Sequence, residues 1–254
     1  MDILKACQQR HLTVQDINTN GSFITKDILN QMLEINILPR MKISFDGLKH
    51  HDWMRNIKGA EKRTIQAIQL CHDMGFPVEV QTNVHLDNLD TLLETAAFFN
   101  QMGIEEMRII RTTEAPRWVH NANGKCLDLE DYYQKMTHFA SQYVAQERQM
   151  QIDIWQFLTL FPKQKVYRYR PISLTGHSYR SNYPVCAGNR GMVTITSSGE
   201  VVPCAQMSGY YEKNQMSLGN IYETTLESLL TDSPYLDKIT CPISKVQEHD
   251  SCLL

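Results

Sequence analysis

The sequence has little of what marks a membrane, secreted or nucleic-acid-binding protein. No run of eighteen consecutive apolar residues occurs, so no membrane span is predicted. The net charge of −3 provides no basic field for nucleic acid. The segment after Met1 lacks the basic and then apolar plan of a signal peptide. The seven cysteines are odd in number and widely scattered, which fits a reducing compartment, and we expect a cytoplasmic protein.

Strand-like and helix-like segments alternate along the first half of the chain, at a spacing of roughly thirty residues. The predicted strands cover residues 11–17, 41–45, 78–84 and 107–110, and one more is expected over 152–160. Between them, apolar residues recur at helical spacing, as at Thr64, Ala67, Ile68 and Cys71. This alternation predicts βαβ units, a parallel sheet and an α/β fold.

Polar residues follow the predicted strands at their carboxyl ends, where ligands bind in parallel α/β sheets. They form four sets: Asn18 and Asn20; Ser44 and Asp46; Thr82 and Asn83; and Arg111 and Glu114. We expect them to form a ring of donors, acceptors and charges. The alternative is that Asn, Asp and Ser end strands simply because they make turns.

A β-hairpin is predicted between Cys186 and Cys204. Residues 192–196 and 200–202 alternate apolar and polar positions on either side of a Ser-Ser-Gly turn. Folding this hairpin would carry Cys204 back beside the strand that Cys186 leads into, so that the two thiols converge as part of a metal site. Two buried cysteines acting as small apolar residues are the alternative.

The stretch in which Cys186 is followed by twelve residues, Gly199, four residues and Cys204 resembles the opening of the SPASM domain of radical SAM enzymes. That domain binds auxiliary iron-sulfur clusters. The resemblance implies that Cys186 and Cys204 ligate one 4Fe-4S cluster and that Cys252 belongs to a second.

The stretch from Val14 to Ile110 is similar to the radical SAM β/α barrel. Ser44-Phe45-Asp46-Gly47 resembles the end of that barrel's fourth strand, and the segment with Arg55 resembles the loop that follows. In the family these positions lie near the ribose and the carboxylate of S-adenosylmethionine. The resemblance therefore implies that this cofactor is bound by Asn20, Ser44, Asp46 and Arg55.

The chain also departs from the family. No two cysteines form the CxxxCxxC motif that holds the catalytic cluster, and Cys252-Leu253-Leu254 matches only the start of a CxxC motif. We therefore expect a piece truncated at both ends. Residues 1–160 would form a partial barrel that lacks the first strands and the cluster loop, and residues 161–254 an incomplete SPASM-like domain.

By this resemblance the chain is, or is part of, an enzyme that uses S-adenosylmethionine and iron-sulfur clusters for radical modification of a peptide or protein. Sulfatase maturation and peptide maturation are examples. Intact relatives cleave the cofactor reductively, which implies an electron donor such as flavodoxin or ferredoxin. Because the catalytic cluster motif is missing, whether this chain itself is catalytic is open.

Two other functions remain open on the sequence alone. The first is a noncatalytic truncated pseudoenzyme or a metal-binding interaction module, which iron and sulfide analysis would separate from a cluster protein. The second is an ordinary β/α barrel hydrolase that uses Asp46, His85 and Glu114 at the strand ends. A lone histidine such as His85 is weak evidence for a catalytic role, and His85 is expected in a loop.

Overall fold

The computed structural model describes residues 1–112, 124–155, 157–169, 193–202, 205 and 208–233. The chain divides into two compact units, Met1–Arg170 and Pro171–Leu254. The assignment of a barrel domain to 1–160 and of a cluster domain to 161–254 stays a prediction. Within the described ranges, the helices are all too short or too polar to cross a membrane.

The first unit alternates strands and helices. Its helices are α1 (Asp2–Gln9), α2 (Lys26–Glu34), α3 (His51–Arg55), α4 (Ala60–Asp73), α5 (Leu92–Gln101) and α6 (Leu129–Ala145). Its strands are β1 (Asp16–Thr19), β2 (Arg40–Ser44), β3 (Val78–Val84), β4 (Glu106–Arg111), β5 (Gln151–Ile154), β6 (Leu158–Phe161) and β7 (Val166–Tyr169). A short 3-10 helix, Pro162–Gln164, joins the last two strands.

These strands form one sheet in the order β1-β2-β3-β4-β5-β6-β7. Strands β1 to β5 pair in parallel, and β6 and β7 add in antiparallel fashion. The predicted α/β fold with a mainly parallel sheet is confirmed. Two details were wrong: the first strand is Asp16–Thr19 rather than 11–17, and residues 152–160 form a hairpin of two strands, because the chain turns back after Ile154.

One face of the sheet is covered by helices. The predicted stripe of α4 is buried at each of its four positions, Thr64, Ala67, Ile68 and Cys71. The strands contribute alternate apolar residues to the same core, among them Met41, Ile43, Val80, Met107, Ile109 and Ile152. Helix α2 begins after Thr25, whose Oγ1 accepts a hydrogen bond from the Ile28 amide at 3.3 Å.

The other face of the sheet is polar, because side chains alternate between the two faces of a strand. The residues that alternate with the core positions are Asp16, Arg40, Lys42, Ser44, Glu79, Gln81, Glu106, Arg108 and Asp153. The strand register places Ser44, Gln81, Arg108 and Asp153 in one row across four neighbouring strands. The polar face therefore continues up to the carboxyl ends of the strands.

The second unit contains a three-stranded antiparallel sheet in the order β10-β9-β8. Its elements are β8 (Thr194–Ile195), β9 (Glu200–Val202), α7 (Ser208–Lys213), β10 (Gly219–Asn220) and α8 (Leu226–Thr231). The predicted hairpin is confirmed, since β8 pairs with β9 around the Ser-Ser-Gly turn. Val201, Leu218 and Leu229 form a small buried cluster beneath it.

Candidate functional site

The candidate site lies in the first unit, where β1, β2 and β3 end at their carboxyl termini. Short connections there bring together the turn after β1, the loop and helix α3 after β2, and the loop after β3. The structure brings Asp46 and Arg55 into direct contact. It also connects the Asn20 turn to this region through two buried side chains, His51 and Thr64.

Asp46 is the centre of this region and has no solvent-exposed surface. Its Oδ2 lies 2.8 Å from Nε of Arg55 in an ion pair. Its Oδ1 accepts hydrogen bonds from the backbone and side-chain amides of Asn83, at 3.4 and 3.3 Å. Its main-chain carbonyl accepts a hydrogen bond from Nδ2 of Asn88 at 2.7 Å. Both carboxylate oxygens and the main-chain carbonyl of Asp46 therefore contact other residues of the protein.

The surroundings of Asp46 keep its carboxylate ionised. Burial alone would raise the pKa of Asp46, but the Arg55 guanidinium and the Asn83 amide lower that pKa below its ordinary value. A buried carboxylate that stays charged holds a cation in place. Asp46 thus fixes the position of Arg55 and does not face solvent as an open ligand.

Arg55 is the charged group of this region that remains partly open, with 30% of its side chain exposed. Asp46 holds the guanidinium at Nε, and the Nη end has no hydrogen-bond or ion-pair partner among the described residues. A guanidinium fixed at one edge presents its two Nη groups as a fork, which matches a carboxylate in a bidentate manner.

Ser44 and Asn20 differ in whether their side chains are already hydrogen-bonded within the protein. Ser44 ends β2 on the polar face, and its hydroxyl has no hydrogen-bond partner within the described ranges. The side-chain oxygen of Asn20 accepts hydrogen bonds from the amide and the hydroxyl of Ser22, at 3.0 and 2.7 Å. Asn20 therefore stabilises its own turn, whereas Ser44 offers an open hydroxyl.

The loop after β3 contains His85, as expected, and its side chain is fully buried. Its Nδ1 accepts a hydrogen bond from the Asp87 amide at 3.2 Å, and burial lowers the pKa of the ring. The Trp53 ring lies 5.4 Å from the His85 ring. Glu114 lies outside the described residues. With Asp46 and His85 both buried, this region gives the hydrolase hypothesis no support.

Sequence reasoning missed helix α3, the buried groups His51 and Asn88, and the part that the correctly predicted buried residue Thr64 plays in holding the site together. Residues 48–63 read as a polar loop, because five helical residues are too few for a periodic pattern. A histidine or asparagine in a loop has no signature that distinguishes a buried partner from an exposed residue. The one available signal was the spacing of His51 and Arg55, four residues apart, which places them on one face of a helix.

Gly199 in the hairpin turn of the second unit shows why glycine is needed there. Its φ is +85°, and an added Cβ would lie 2.6 Å from Oδ1 of Asn220 and from the Tyr222 ring. Asn220 in turn donates hydrogen bonds to the Ser198 carbonyl at 2.9 Å and to Oε1 of Glu200 at 3.0 Å. The glycine of the sequence motif is thus explained by a close approach of β10 to the turn.

The predicted cluster ligands Cys186, Cys204 and Cys252 lie outside the described residues. Among the described residues, no group of three or more His, Cys, Asp or Glu side chains could hold a metal ion. The described cysteines are Cys7, Cys71 and Cys126, and all three are free. Burial raises the pKa of the Cys71 thiol to about 12, so it is an inert core residue.

Comparison with known proteins adds the family context. Residues 186–253 match the SPASM iron-sulfur cluster-binding domain, and this range contains the three predicted ligands. Over 229 residues the chain is 23% identical to the AdoMet-dependent heme synthase of Methanosarcina barkeri. That similarity covers 88% of this chain and 62% of the relative, so the chain spans less than two thirds of that protein.

Solved structures of low sequence identity share the fold. Streptococcus suis SuiB bound to its precursor peptide SuiA has a TM-score of 0.70 at 17% identity, covering 94% of this chain and 52% of SuiB. SuiB bound to S-adenosylmethionine gives 0.69 at 16% identity, with the same coverage. The enzyme anSMEcpe with bound AdoMet and Kp18Cys peptide gives 0.60 at 16% identity, covering 94% of this chain and 64% of that one. The predicted resemblance to radical SAM enzymes with a SPASM domain is confirmed.

Proposed function

We propose that this chain is a radical SAM/SPASM-type protein, or the corresponding part of one, that binds S-adenosylmethionine at the carboxyl ends of β1 to β3. Its reaction class is radical modification of a peptide or protein substrate. The resemblance of the barrel and the match of residues 186–253 to the SPASM domain support the class. The site geometry supports the place of binding.

The observation that carries the proposal is the arrangement of Arg55 on Asp46. A fully buried carboxylate holds Nε of Arg55 at 2.8 Å, while the Nη end has no partner among the described residues. The ion pair compensates the buried charge of Asp46 at Nε and leaves the Nη groups for a ligand. The carboxylate of S-adenosylmethionine is the group that fits this fork.

The roles of the four residues then follow from their surroundings. Arg55 binds the carboxylate of the cofactor, and Ser44 offers its hydroxyl to the ribose. Asp46 orients Arg55, and Asn20 shapes the turn beside them. When bound and reduced, S-adenosylmethionine supplies the radical chemistry. The residues of this chain bind the cofactor, orient it and exclude water around it.

The auxiliary clusters and the partners complete the proposal. Cys186 and Cys204 would ligate one 4Fe-4S cluster, and Cys252 would contribute to another. A peptide substrate is supported by SuiB, whose structure holds its own precursor peptide. An electron donor such as flavodoxin or ferredoxin would serve the whole enzyme.

The test of the cofactor site is isothermal titration of S-adenosylmethionine into this chain and its variants. We expect Arg55→Ala to weaken binding by about tenfold or more, because it removes hydrogen bonds to a charged group. Ser44→Ala should weaken binding by a few-fold. Arg63→Ala is the matched control, since Arg63 is exposed and its one hydrogen bond among the described residues goes to the Lys58 carbonyl, at 3.2 Å.

Unchanged affinity in the double variant Ser44→Ala/Arg55→Ala would refute the proposed cofactor site. The cluster assignment is tested separately by iron and acid-labile sulfide analysis after anaerobic reconstitution. We expect the Cys186→Ser and Cys204→Ser variants to lose the iron of one cluster. Stoichiometric zinc in place of iron and sulfide would favour the interaction module.

A further inference from the structure

A buried hydrogen-bond chain connects the two strand ends of the candidate site through His51. The His51 side chain is 1% exposed and stacks on the Phe45 ring at 4.8 Å. Its Nδ1 lies 3.1 Å from the Asp46 backbone nitrogen, and its Nε2 lies 3.1 Å from Oγ1 of Thr64. The same Thr64 hydroxyl lies 3.4 Å from the Asn20 carbonyl oxygen.

The protonation state of the ring follows from these partners. A backbone N–H can only donate, so Nδ1 of His51 accepts the hydrogen bond from Asp46 and carries no hydrogen. Oδ2 of Asp46 lies 3.3 Å from Nδ1 and receives no hydrogen bond. The neutral ring therefore carries its hydrogen on Nε2 and donates to Thr64. The Thr64 hydroxyl then donates to the Asn20 carbonyl.

The hydrogen-bond chain lies just beyond the last paired residues of β1 and β2. The last paired residues of β1 and β2 are Thr19 and Ile43, so no strand pairing fixes Asn20 relative to Asp46. The turn at Gly21 packs closely on α4: an added Cβ would lie 3.2 Å from Cβ of Ala67. Thr64 of the same helix thus reaches the Asn20 carbonyl from a fixed position.

We infer that His51 is a positioning residue of the proposed cofactor site, acting as the neutral Nε2–H tautomer. It ties the Asn20 turn to the loop that carries Asp46 and, through Asp46, the Arg55 fork. This role rests on the proposed binding of S-adenosylmethionine. His51 need not touch the cofactor itself. Its effect on cofactor binding depends on which ring nitrogen donates a hydrogen bond and which accepts one.

The test combines two variants of Thr64 with a spectrum of His51. Thr64→Val keeps the shape of the side chain and removes the hydroxyl, and we expect S-adenosylmethionine affinity to fall roughly two- to tenfold. Thr64→Ser keeps the hydroxyl and should restore affinity to nearly that of the unaltered chain. Thr137→Val is the matched control, because Thr137 lies exposed on α6 and its hydroxyl bonds only the Tyr133 carbonyl, at 2.7 Å.

A long-range 1H–15N correlation spectrum of the unaltered chain reports the ring nitrogens of His51 independently of any cofactor. We expect an unprotonated Nδ1 and a protonated Nε2, and the signal is assigned by its loss in His51→Asn. A hydrogen on Nδ1 would overturn the hydrogen-bond chain. His51→Asn retains an acceptor near the Nδ1 position but cannot reach Thr64, so it should weaken binding as Thr64→Val does.

The outcomes separate the two proposals. If the unaltered chain binds S-adenosylmethionine and both Thr64→Val and His51→Asn bind it equally well, the positioning role is overturned and the proposed function stands. If the unaltered chain does not bind S-adenosylmethionine at all, the proposed function fails and the positioning role fails with it. Weaker binding in both variants, restored in Thr64→Ser and unchanged in Thr137→Val, supports the role.

Discussion

The two ends of the polar sheet face use charge in opposite ways. At the amino end, charged side chains from β1 to β4 pair with one another; they are Asp16, Arg40, Lys42, Glu79 and Glu106. Arg108 and Asp153, in the next row toward the carboxyl end, continue this network. At the carboxyl end, Asp46 pairs with Arg55, and the far side of the guanidinium stays open among the described residues. In the first arrangement the charges satisfy one another, whereas in the second the outer edge of one guanidinium is left without a partner within the described part of the chain.

The difference supports the proposal that the amino end stabilises the fold and that the carboxyl end binds the cofactor. Arg40 alone lies 2.8 Å from Asp16, 3.4 Å from Glu79 and 2.9 Å from Glu106, and so joins its own strand to three others. A network of this kind fixes neighbouring strands but offers no free group to a ligand. At the carboxyl end, the protein instead uses one buried carboxylate to orient an arginine whose other side is available.

The largest effect is expected for Arg40→Met. Glu79 is fully buried, and without Arg40 it would keep Arg108 at 3.5 Å as its remaining cation. The substitution leaves Glu79 with one cation in place of two and removes the ion pair of Glu106, so the free energy of unfolding should fall by about 3 kcal/mol. Urea unfolding followed by circular dichroism measures this loss.

The control for that variant is Lys49→Met, which removes an ion pair between Lys49 and Glu94 that is largely exposed on both sides. It should change the free energy of unfolding by no more than about 1 kcal/mol. If Arg40→Met were as mild as this control, the amino-end network would contribute nothing to stability, and the comparison between the two ends would fail.

A smaller loss of stability is expected for Asp46→Asn, together with weaker cofactor binding. The amide keeps the size of the side chain but loses the charge that holds Nε of Arg55. Hydrogen bonds and contacts of a charged group contribute about 2 kcal/mol, and the partial exposure of Arg55 limits the penalty. We expect S-adenosylmethionine affinity to fall by about tenfold in titration calorimetry.

This variant sharpens the comparison because Arg40→Met should leave the affinity for S-adenosylmethionine unchanged in the fraction that stays folded. A tenfold loss of affinity in Arg40→Met would show that the two ends are coupled. Full affinity in Asp46→Asn would show that Arg55 is oriented without its carboxylate partner.

The sheet and the hairpin could be predicted from the sequence because they rest on local patterns. Alternating strands and helices, the buried stripe of α4 and the Ser-Ser-Gly turn are all determined by neighbouring residues. The antiparallel turn after Ile154 was missed, since the mixed apolar and polar pattern of residues 152–160 does not show where the chain reverses. Strand direction depends on packing that the pattern does not contain.

The site could be predicted in part. The positions of Ser44, Asp46 and Arg55 came from a family resemblance, and the structure brings Asp46 and Arg55 together. The roles of His51 and Thr64 could not be predicted, because each acts through a hydrogen bond to a residue more than ten positions away or to a backbone atom. Such partners are determined by tertiary folding and produce no repeating pattern in the sequence.

The smallest effect, and the one that compares the two ends most directly, is the pH dependence of stability. Burial and the neighbouring Glu79 raise the pKa of Glu106 above its ordinary value of 4.5, whereas the pKa of Asp46 is lowered from 3.8. A raised pKa gives stability that is fully present below the ordinary value and is lost as the pH rises through the folded-state value. A lowered pKa gives stability that is present above the ordinary value and is lost as the pH falls below it.

As the pH rises, Glu106 and Asp46 should therefore change the free energy of unfolding in opposite directions. Glu106→Gln should flatten the decline of stability as the pH rises above 4.5, by on the order of 1 kcal/mol, and leave the loss below pH 3.8 in place. Asp46→Asn should do the reverse. Urea unfolding between pH 3 and 7 measures both profiles, with Lys49→Met as the reference. If both variants gave the same profile as Lys49→Met, each carboxylate would release its proton as readily folded as unfolded, and the two ends would not differ in their electrostatics.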